Sequence, residues 1–382
     1  MFNYIIVGAG LAGCVMAERI ANILDEKVLL IEKRNHVGGN CYDYYDKNGI
    51  LVHKYGPHIF HTSLENVWTY LSQFTDWYNY QHHVLGFIDG EKVPIPFNLN
   101  TMHELLPEST ARDLEGKLIK KFGFNTKIPI LELKKSEDKD LKFLADFIYE
   151  KVFLNYTKKQ WGVKPEELDP SVTERVPIYI SKDNRYFQDK YQGLPLHGYH
   201  QMFQKMLENP NIKIMLNTNF KELLKIQNNE TYFENKKFQG KLIFTGQIDE
   251  LFNYQFGELP YRSLRFESET LNKEYFQETG TVNYPNNYNY TRITEFKHLT
   301  GQKHEKTSII REYPKPYNKN QDIPYYPIPK KEYNQLYKKY LEKASKINNL
   351  NLVGRLAEYK YYNMDLVTNE ALTKFKEITN ER

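Results

Sequence analysis

A chain of 382 residues exceeds the usual size of a single core, so two or three subdomains are expected. With 52 basic and 48 acidic residues the formal net charge is +4, which argues against nucleic acid as the main partner; the two cysteines, Cys14 and Cys41, are too few for a disulfide framework and fall in no metal-ligand spacing. No apolar run approaches the length of a membrane span, and a first strand beginning almost at Met1 leaves no room for a signal peptide, so the expected location is cytoplasmic.

The first element is the apolar run Tyr4-Ile5-Ile6-Val7, read as a strand that feeds into Gly8-Ala9-Gly10-Leu11-Ala12-Gly13 and a helix. The next apolar run, Val28-Leu29-Leu30-Ile31, is closed by Glu32. Strand, tight turn, helix and second strand form a dinucleotide-binding fingerprint: Gly8 permits the turn, Gly10 lets the backbone approach a pyrophosphate, and Gly13 lets the helix pack on the sheet. The helix that opens at Leu11 turns its unpaired N–H groups toward that pyrophosphate. Glu32, about 20 residues past the glycines, is placed to reach a ribose hydroxyl.

FAD and NAD share that fingerprint, and the next segment separates them. Lys33-Arg34-Asn35-His36-Val37-Gly38-Gly39-Asn40 resembles the FAD-binding extension of amine-oxidase and glutathione-reductase-like flavoproteins. Arg34 would pair with a phosphate or lie over the adenine, and Gly38 and Gly39 would let backbone N–H groups approach the pyrophosphate or ribitol. Leu242-Ile243-Phe244-Thr245-Gly246, a strand ending in Thr-Gly, is a second flavoprotein-like feature, and no second glycine fingerprint for NAD is present. FAD is therefore the expected cofactor.

Further along, the cofactor domain is expected to be interrupted, occupying 1–78, 193–254 and 335–382. Apolar residues at three- and four-residue spacing through 141–153 belong to a small helical subdomain over 99–172. Strand-like runs such as 307–313, set between Asn- and Pro-rich turns, make a twisted antiparallel sheet from 79–98, 173–192 and 255–334. The expected fold class is α/β: a Rossmann-like FAD-binding domain interrupted by the helical subdomain and the antiparallel sheet. The 31 tyrosines and 22 phenylalanines suit sugar or base binding but are read as mostly compositional.

Several short segments converge on one family. Tyr55-Gly56-Pro57-His58-Ile59-Phe60-His61-Thr62, Tyr156-Thr157-Lys158-Lys159-Gln160-Trp161-Gly162, Tyr290-Thr291-Arg292-Ile293-Thr294-Glu295, Pro324-Tyr325-Tyr326-Pro327-Ile328, Gly354-Arg355-Leu356-Ala357 and Tyr361-Tyr362-Asn363-Met364-Asp365 resemble, in order, the successive motifs of bacterial UDP-galactopyranose mutases. The resemblance implies an isomerase that interconverts pyranose and furanose forms of a nucleotide-linked sugar, supplying furanose for surface polysaccharide. It implies that N5 of the reduced flavin attacks the anomeric carbon, expels the nucleotide diphosphate, and forms an adduct that opens to an iminium and recloses through the 4-hydroxyl. It also implies a reductant such as NAD(P)H or a flavin-reducing system, and a homodimer.

Carried over residue by residue, the resemblance makes Arg175 and Arg292 the diphosphate-binding arginines, whose forked guanidinium suits a diphosphate gaining charge as it leaves. Tyr186, Tyr326 and Tyr361 would donate hydrogen bonds to the same phosphates. Tyr156, Thr157 and Trp161 would hold the nucleotide and sugar, the Tyr156 ring stacking on the base. His58 and His61, with Ile59 between them, would lie beside the flavin; Arg355, Met364 and Asp365 complete the cofactor side, and Arg355 would favour the anionic reduced form. Asn283 and Tyr284 are further candidates, and the segment around Arg175 is a candidate lid.

The chain departs from the family pattern where the substrate would sit. Val152, with Phe153 adjacent, stands where an aromatic ring is expected beside the base. His82 and His83 stand where an Asn-Arg pair is common, and Asn363 replaces an aspartate, exchanging an acceptor-only group for a mixed one. A related sugar, N-acetylated, 6-deoxy, heptose or pentose, therefore stays open as the substrate. Outside this class stand an FAD-dependent oxidoreductase of the amine-oxidase type and a non-catalytic flavin protein that uses its aromatic surface for binding.

Overall fold

Four consecutive apolar side chains buried on both faces make β1 (Tyr4–Val7) the centre of a parallel sheet, because only a strand covered by helices on either side buries a continuous run. The computed structural model describes residues 2–169, 176–319, 321–328 and 330–380. After β1 come α1 (Leu11–Leu24) and β2 (Val28–Ile31), and the sheet order runs 212–215, β2, β1, 241–244, 350–352, with every pairing parallel. One face is covered by α1 and the C-terminal helix Met364–Asn380, through Ala17, Ile20, Val367, Ala371 and Phe375. The other face packs on Phe220, Leu251, Phe252 and Tyr340.

A seven-stranded sheet stands beside this domain. Its order is Tyr326–Pro327, Tyr261–Leu271, Thr307–Pro316, Arg292–Glu295, Thr281–Asn283, Val84–Ile88 and Glu91–Ile95, antiparallel apart from the parallel pairing of Thr281–Asn283 with Val84–Ile88. Helices 99–105, 108–122 and 139–148 pack on its far end, where Leu114, Leu118, Leu141, Leu144 and Ile148 share one core with Val84, Ile88 and Ile95.

The helical periodicity read through 141–153 does not persist as one α-helix. Lys139–Ile148 is α-helical, but Tyr149–Leu154 is a π-helical turn, and α-helix resumes at Asn155–Trp161. The wider turn shifts the facing of the next helix, a device that recurs at functional sites. Here Val152, Phe153, Tyr156, Thr157 and Trp161 all line one pocket.

Candidate active site

The glycine loop after β1 is built by close backbone contact. Gly8 has φ +98°, and a Cβ on Gly13 would lie 1.9 Å from the Gly8 carbonyl oxygen, so Gly13 lets the helix close on the loop itself more than on the sheet. A Cβ on Gly39 (φ +56°) would lie 2.8 Å from the Cα of Gly10, so the two glycine segments meet backbone to backbone at the floor of a cleft. Gly8, Gly10, Leu11, Glu32, Lys33, Arg34, Gly38, Gly39, Asn40, His58, Arg355 and Met364 line that cleft, with Lys33 exposed to solvent. The N-terminus of α1 has no side-chain cap, which leaves its N–H groups to the cleft.

Glu32 is held more tightly than its spacing alone implies. Its carboxylate accepts the backbone N–H groups of Ala9 at 2.8 Å and Arg34 at 2.9 Å, fixing the acid at the rim. Arg34 donates to Asn40 Oδ1 at 2.9 Å and lies 4.5 Å over the Tyr55 ring, while its Nη1 is buried with no hydrogen-bond partner among the described residues. A buried guanidinium nitrogen left open in a glycine-floored cleft fits an anionic group such as a pyrophosphate. Cys14, behind the loop, donates its thiol to the Ala9 carbonyl and is a packing residue.

A second cavity, of about 540 Å³, adjoins the cleft, and His58, Arg355 and Met364 line both. Its walls include Ile59, His61, His82, Tyr156, Trp161, Tyr186, Asn283, Arg292, Tyr326, Tyr361, Asn363 and Asp365. Trp161, Tyr326 and Tyr361 form a mutually packed triad with centroids 5.3–5.8 Å apart, and the Arg355 guanidinium lies over Tyr326 and Tyr361. Arg355 is itself pinned by the carbonyls of Tyr325 and Tyr362. Arg292 Nη2 lies 3.0 Å from Glu312 Oε1, and its Nε is buried without a partner among the described residues.

Several other buried polar atoms on the wall are equally open: Gln160 Oε1, Thr281 Oγ1, Asn283 Oδ1 and Asp365 Oδ1. Asp365 sits in the first turn of the C-terminal helix, its other oxygen accepting from Thr62 Oγ1 at 3.2 Å. Open donors and acceptors around one cavity are what a polyhydroxylated, anionic ligand requires. Next to it, a smaller pocket of about 100 Å³ is lined by Val152, Phe153, Tyr156, Thr157, Tyr186, Gly86, Ile95 and Pro285, mostly apolar walls.

Burial sets the protonation states. His58 is pushed down to about 4 and His82 to about 3 by burial, so both rings are neutral at pH 7. His58 donates from Nδ1 to the Gly56 carbonyl, and its backbone N–H is received by His53 Nδ1. Burial raises the Tyr326 phenol well above its ordinary range, which keeps it a hydrogen-bond donor.

Two expectations need correction, and one lies beyond view. His83 does not reach the cavity: in the extended segment before the strand Val84–Ile88 it faces outward, bridged to Arg185 and exposed, with its Nδ1 on the Gln81 carbonyl, whereas His82 lines the cavity. Tyr284, the residue just after the strand Thr281–Asn283, packs with Tyr288 and Tyr290 as an aromatic cluster away from the cavity. Arg175 lies outside the described residues, as does most of the candidate lid around it. Residues not singled out in the sequence also reach the cavity: Gln160, Phe187, Asp189, Thr281 and Glu312. Of these only Gln160 falls inside one of the quoted motifs, and cross-strand pairing with Arg292 was the signal for Glu312. Among the described residues no group of three or more His, Cys, Asp or Glu is placed to hold a metal, and no helix is long and apolar enough to cross a membrane.

Comparison with known proteins agrees with this geometry. The UDP-galactopyranose mutase family model matches residues 151–361, and an NAD(P)-binding Rossmann-like domain model matches 6–74. The chain is 39% identical to UDP-galactopyranose mutase of Mycoplasma genitalium, over 95% of this chain and 91% of that protein. It is 36% identical to dTDP-fucopyranose mutase of Escherichia coli, over 97% of each. Among solved structures, reduced UDP-galactopyranose mutase superposes with TM-score 0.74 at 16% identity, covering 100% of this chain and 94% of the other. Putrescine oxidase bound to putrescine superposes with TM-score 0.59 at 10% identity, over 99% of both, so the fold alone is shared more widely than any one activity.

Proposed function

This chain belongs to the UDP-galactopyranose mutase family, and on that premise we propose that it interconverts UDP-galactopyranose and UDP-galactofuranose with reduced FAD. The observation that carries the reading is the contiguity of a dinucleotide cleft with a cavity walled by Arg292, Tyr326, Tyr361 and Trp161, the two sharing His58, Arg355 and Met364.

The residues present fit the cofactor. The backbone floor of Gly10 and Gly39, the open Arg34 Nη1 and the uncapped N-terminus of α1 would hold the pyrophosphate, with Glu32 at the ribose. When bound and reduced, the flavin supplies the nucleophile for the anomeric carbon from its N5.

The chain's own work is positioning and charge. Arg292 would turn its open Nε and guanidinium face to the leaving diphosphate, and the phenol hydroxyls of Tyr326, Tyr361 and Tyr186 would donate to the same oxygens as charge develops. Tyr156, Thr157 and Phe153 would enclose the base in the apolar pocket. Neutral His58 and His82 add no competing positive charge beside the sugar. Holding both reacting ends in adjoining cavities replaces encounter by orientation, the larger part of what such a site contributes. The reading carries with it a cytoplasmic homodimer supplied by NAD(P)H or a flavin-reducing system, whose furanose product enters surface polysaccharide.

The relatives bear two sugar names at similar identity, and the departures at Val152, His82 and Asn363 fall beside the substrate, so a dTDP- or 6-deoxy-sugar is the second reading. The test is conversion by the dithionite-reduced protein of UDP-galactose and of other nucleotide pyranoses, with products separated by chromatography. UDP-galactose turnover without stoichiometric loss of reductant supports the first reading; turnover of another nucleotide sugar alone supports the second. Steady consumption of reductant with product would overturn both.

A further inference from the structure

Asp189 lies in none of the motifs that carry the family resemblance, yet it faces the cavity beside His61. The strand Phe60–Thr62 pairs antiparallel with Tyr191–Pro195, His61 opposite Gln192. The Gln192 amide donates to the carbonyls of Phe187 and Asp189, both at 3.1 Å, and so fixes the chain that approaches the pair. Asp189 Oδ2 then lies 2.8 Å from His61 Nδ1, while Ser63 Oγ donates to the other carboxylate oxygen at 3.0 Å. The imidazole stacks on Phe187 with centroids 3.6 Å apart and planes 13° apart.

This arrangement leaves the ring little freedom, since stacking fixes its plane and the carboxylate fixes its rotation. The hydrogen bond from His61 holds the Asp189 carboxyl below the usual carboxylate range, so it is ionised at neutral pH. An ionised carboxylate only accepts, so Nδ1 must carry the proton, and in a neutral ring the lone pair is then on Nε2. Among the described residues no hydrogen bond reaches Nε2, and the His61 side chain keeps 12% of its surface open at the cavity wall.

We infer that Asp189 is a positioning residue that locks His61 in the Nδ1–H tautomer and so presents Nε2 as a hydrogen-bond acceptor to a hydroxyl of the ligand in the cavity. That the ligand is a nucleotide-linked sugar rests on the proposed function; the tautomer does not. A carboxylate that sets which imidazole nitrogen accepts is a recurrent way to make one histidine directional.

The test uses the flavin-loaded protein labelled with ¹⁵N at histidine, with His61 identified by the signal lost in His61→Gln. The expected spectrum has Nδ1 protonated and Nε2 unprotonated. Asp189→Asn, whose amide can donate, moves the proton toward Nε2, and Asp189→Glu, which keeps a carboxylate, restores the original form. In turnover, Asp189→Asn lowers kcat by roughly a hundredfold with UDP affinity unchanged, as expected when the nitrogen facing the ligand hydroxyl no longer accepts its hydrogen bond and the ligand loses its orientation. It also adds no further loss to His61→Gln. An unchanged tautomer in Asp189→Asn, or losses that add in the double variant, would overturn the assignment. Should the wild-type protein convert no nucleotide sugar, the proposed function fails while the tautomer measurement still decides this one.

Discussion

Arg292 and Glu312 are direct cross-strand partners, and their side chains meet at 3.0 Å on the cavity face of the sheet. Glu312 is 1% exposed while the Arg292 side chain keeps 25% of its surface open, so a buried acid holds a half-buried arginine that keeps one nitrogen open to the cavity. Removing only the acid would leave a half-buried guanidinium without its partner, which costs about 1–3 kcal/mol. Glu312→Ala should lower the denaturation midpoint accordingly, and Glu312→Gln, which keeps an acceptor, should lower it less. Equal stability in both variants and the parent would show that the carboxylate does not hold Arg292.

Arg292 itself should matter to turnover far more than to folding. Arg292→Ala removes the forked donor proposed for the diphosphate and should reduce kcat by at least about a hundredfold. Arg292→Lys, a point charge without the fork, should recover little. Flavin absorbance of the purified variants should match the parent, because Arg292 lines the second cavity and not the dinucleotide cleft. Full activity in Arg292→Ala would remove the residue from the mechanism.

The glycine-floored cleft was legible in the sequence because its determinants are contiguous: a strand, three glycines, a helix and an acid, each specified by its neighbours. The second cavity was legible only where a resemblance named residues. His61 meets Asp189 across 128 positions and Arg262 meets Gln160 across 102, and no local pattern marks such pairs. The opposite facing of His82 and His83 was available in principle, but they lie in the extended segment before the strand Val84–Ile88, and which way that segment faces is set by which face of the strand the helical subdomain covers. The π-helical turn before Tyr156 has no periodic signature at all, since apolar spacing through it still fits an α-helix.

At the glycine loop, Gly13→Val should abolish cofactor binding. A Cβ there would meet the Gly8 carbonyl at 1.9 Å, a backbone contact that no rotamer change relieves, so the loop must move away from the helix N-terminus. The variant should purify without the flavin absorbance of the parent. Retention of a full complement of flavin would mean that the cofactor does not use this loop.

Stability should fall as pH drops from 6.5 toward 4. Burial lowers His36 and His58 to about 4 and His53 and His82 to about 3, so over this window the unfolded chain binds protons that the folded chain refuses. For a base with a depressed pKa, stability is present above the unfolded value and lost as pH falls through the window. Asp43 and Asp249, each raised to about 6 by burial, act in the opposite sense and offset part of the loss. Denaturant midpoints at pH 7 and pH 5 should differ, and His53→Gln should flatten the profile by about one proton. A profile flat between these values would refute the burial assignment.

Arg262 offers the sharpest separation of support from chemistry. It is 6% exposed, and its Nε and Nη2 donate to the carbonyls of Gln160 and Lys159, both at 2.9 Å, at the C-terminal end of the helix that carries Tyr156 and Trp161. Unpaired carbonyls and the negative end of the helix dipole both favour a cation there. Arg262 is also the strand partner of Tyr326, and its own carbonyl accepts the Tyr325 N–H at 2.9 Å. One side chain thus ties the Trp161 helix to the Tyr326 strand, whose rings lie 5.8 Å apart. Arg262→Ala should cost roughly 2 kcal/mol of stability, the range of a helix-end cation with two charged hydrogen bonds. It should also raise KM for the nucleotide sugar more than it lowers kcat, because the wall is displaced while the open face of Arg292 is not. Arg262→Lys, able to reach one carbonyl at a time, should fall between the two. A variant with parental KM would mean that Trp161 and Tyr326 hold their positions without this tie.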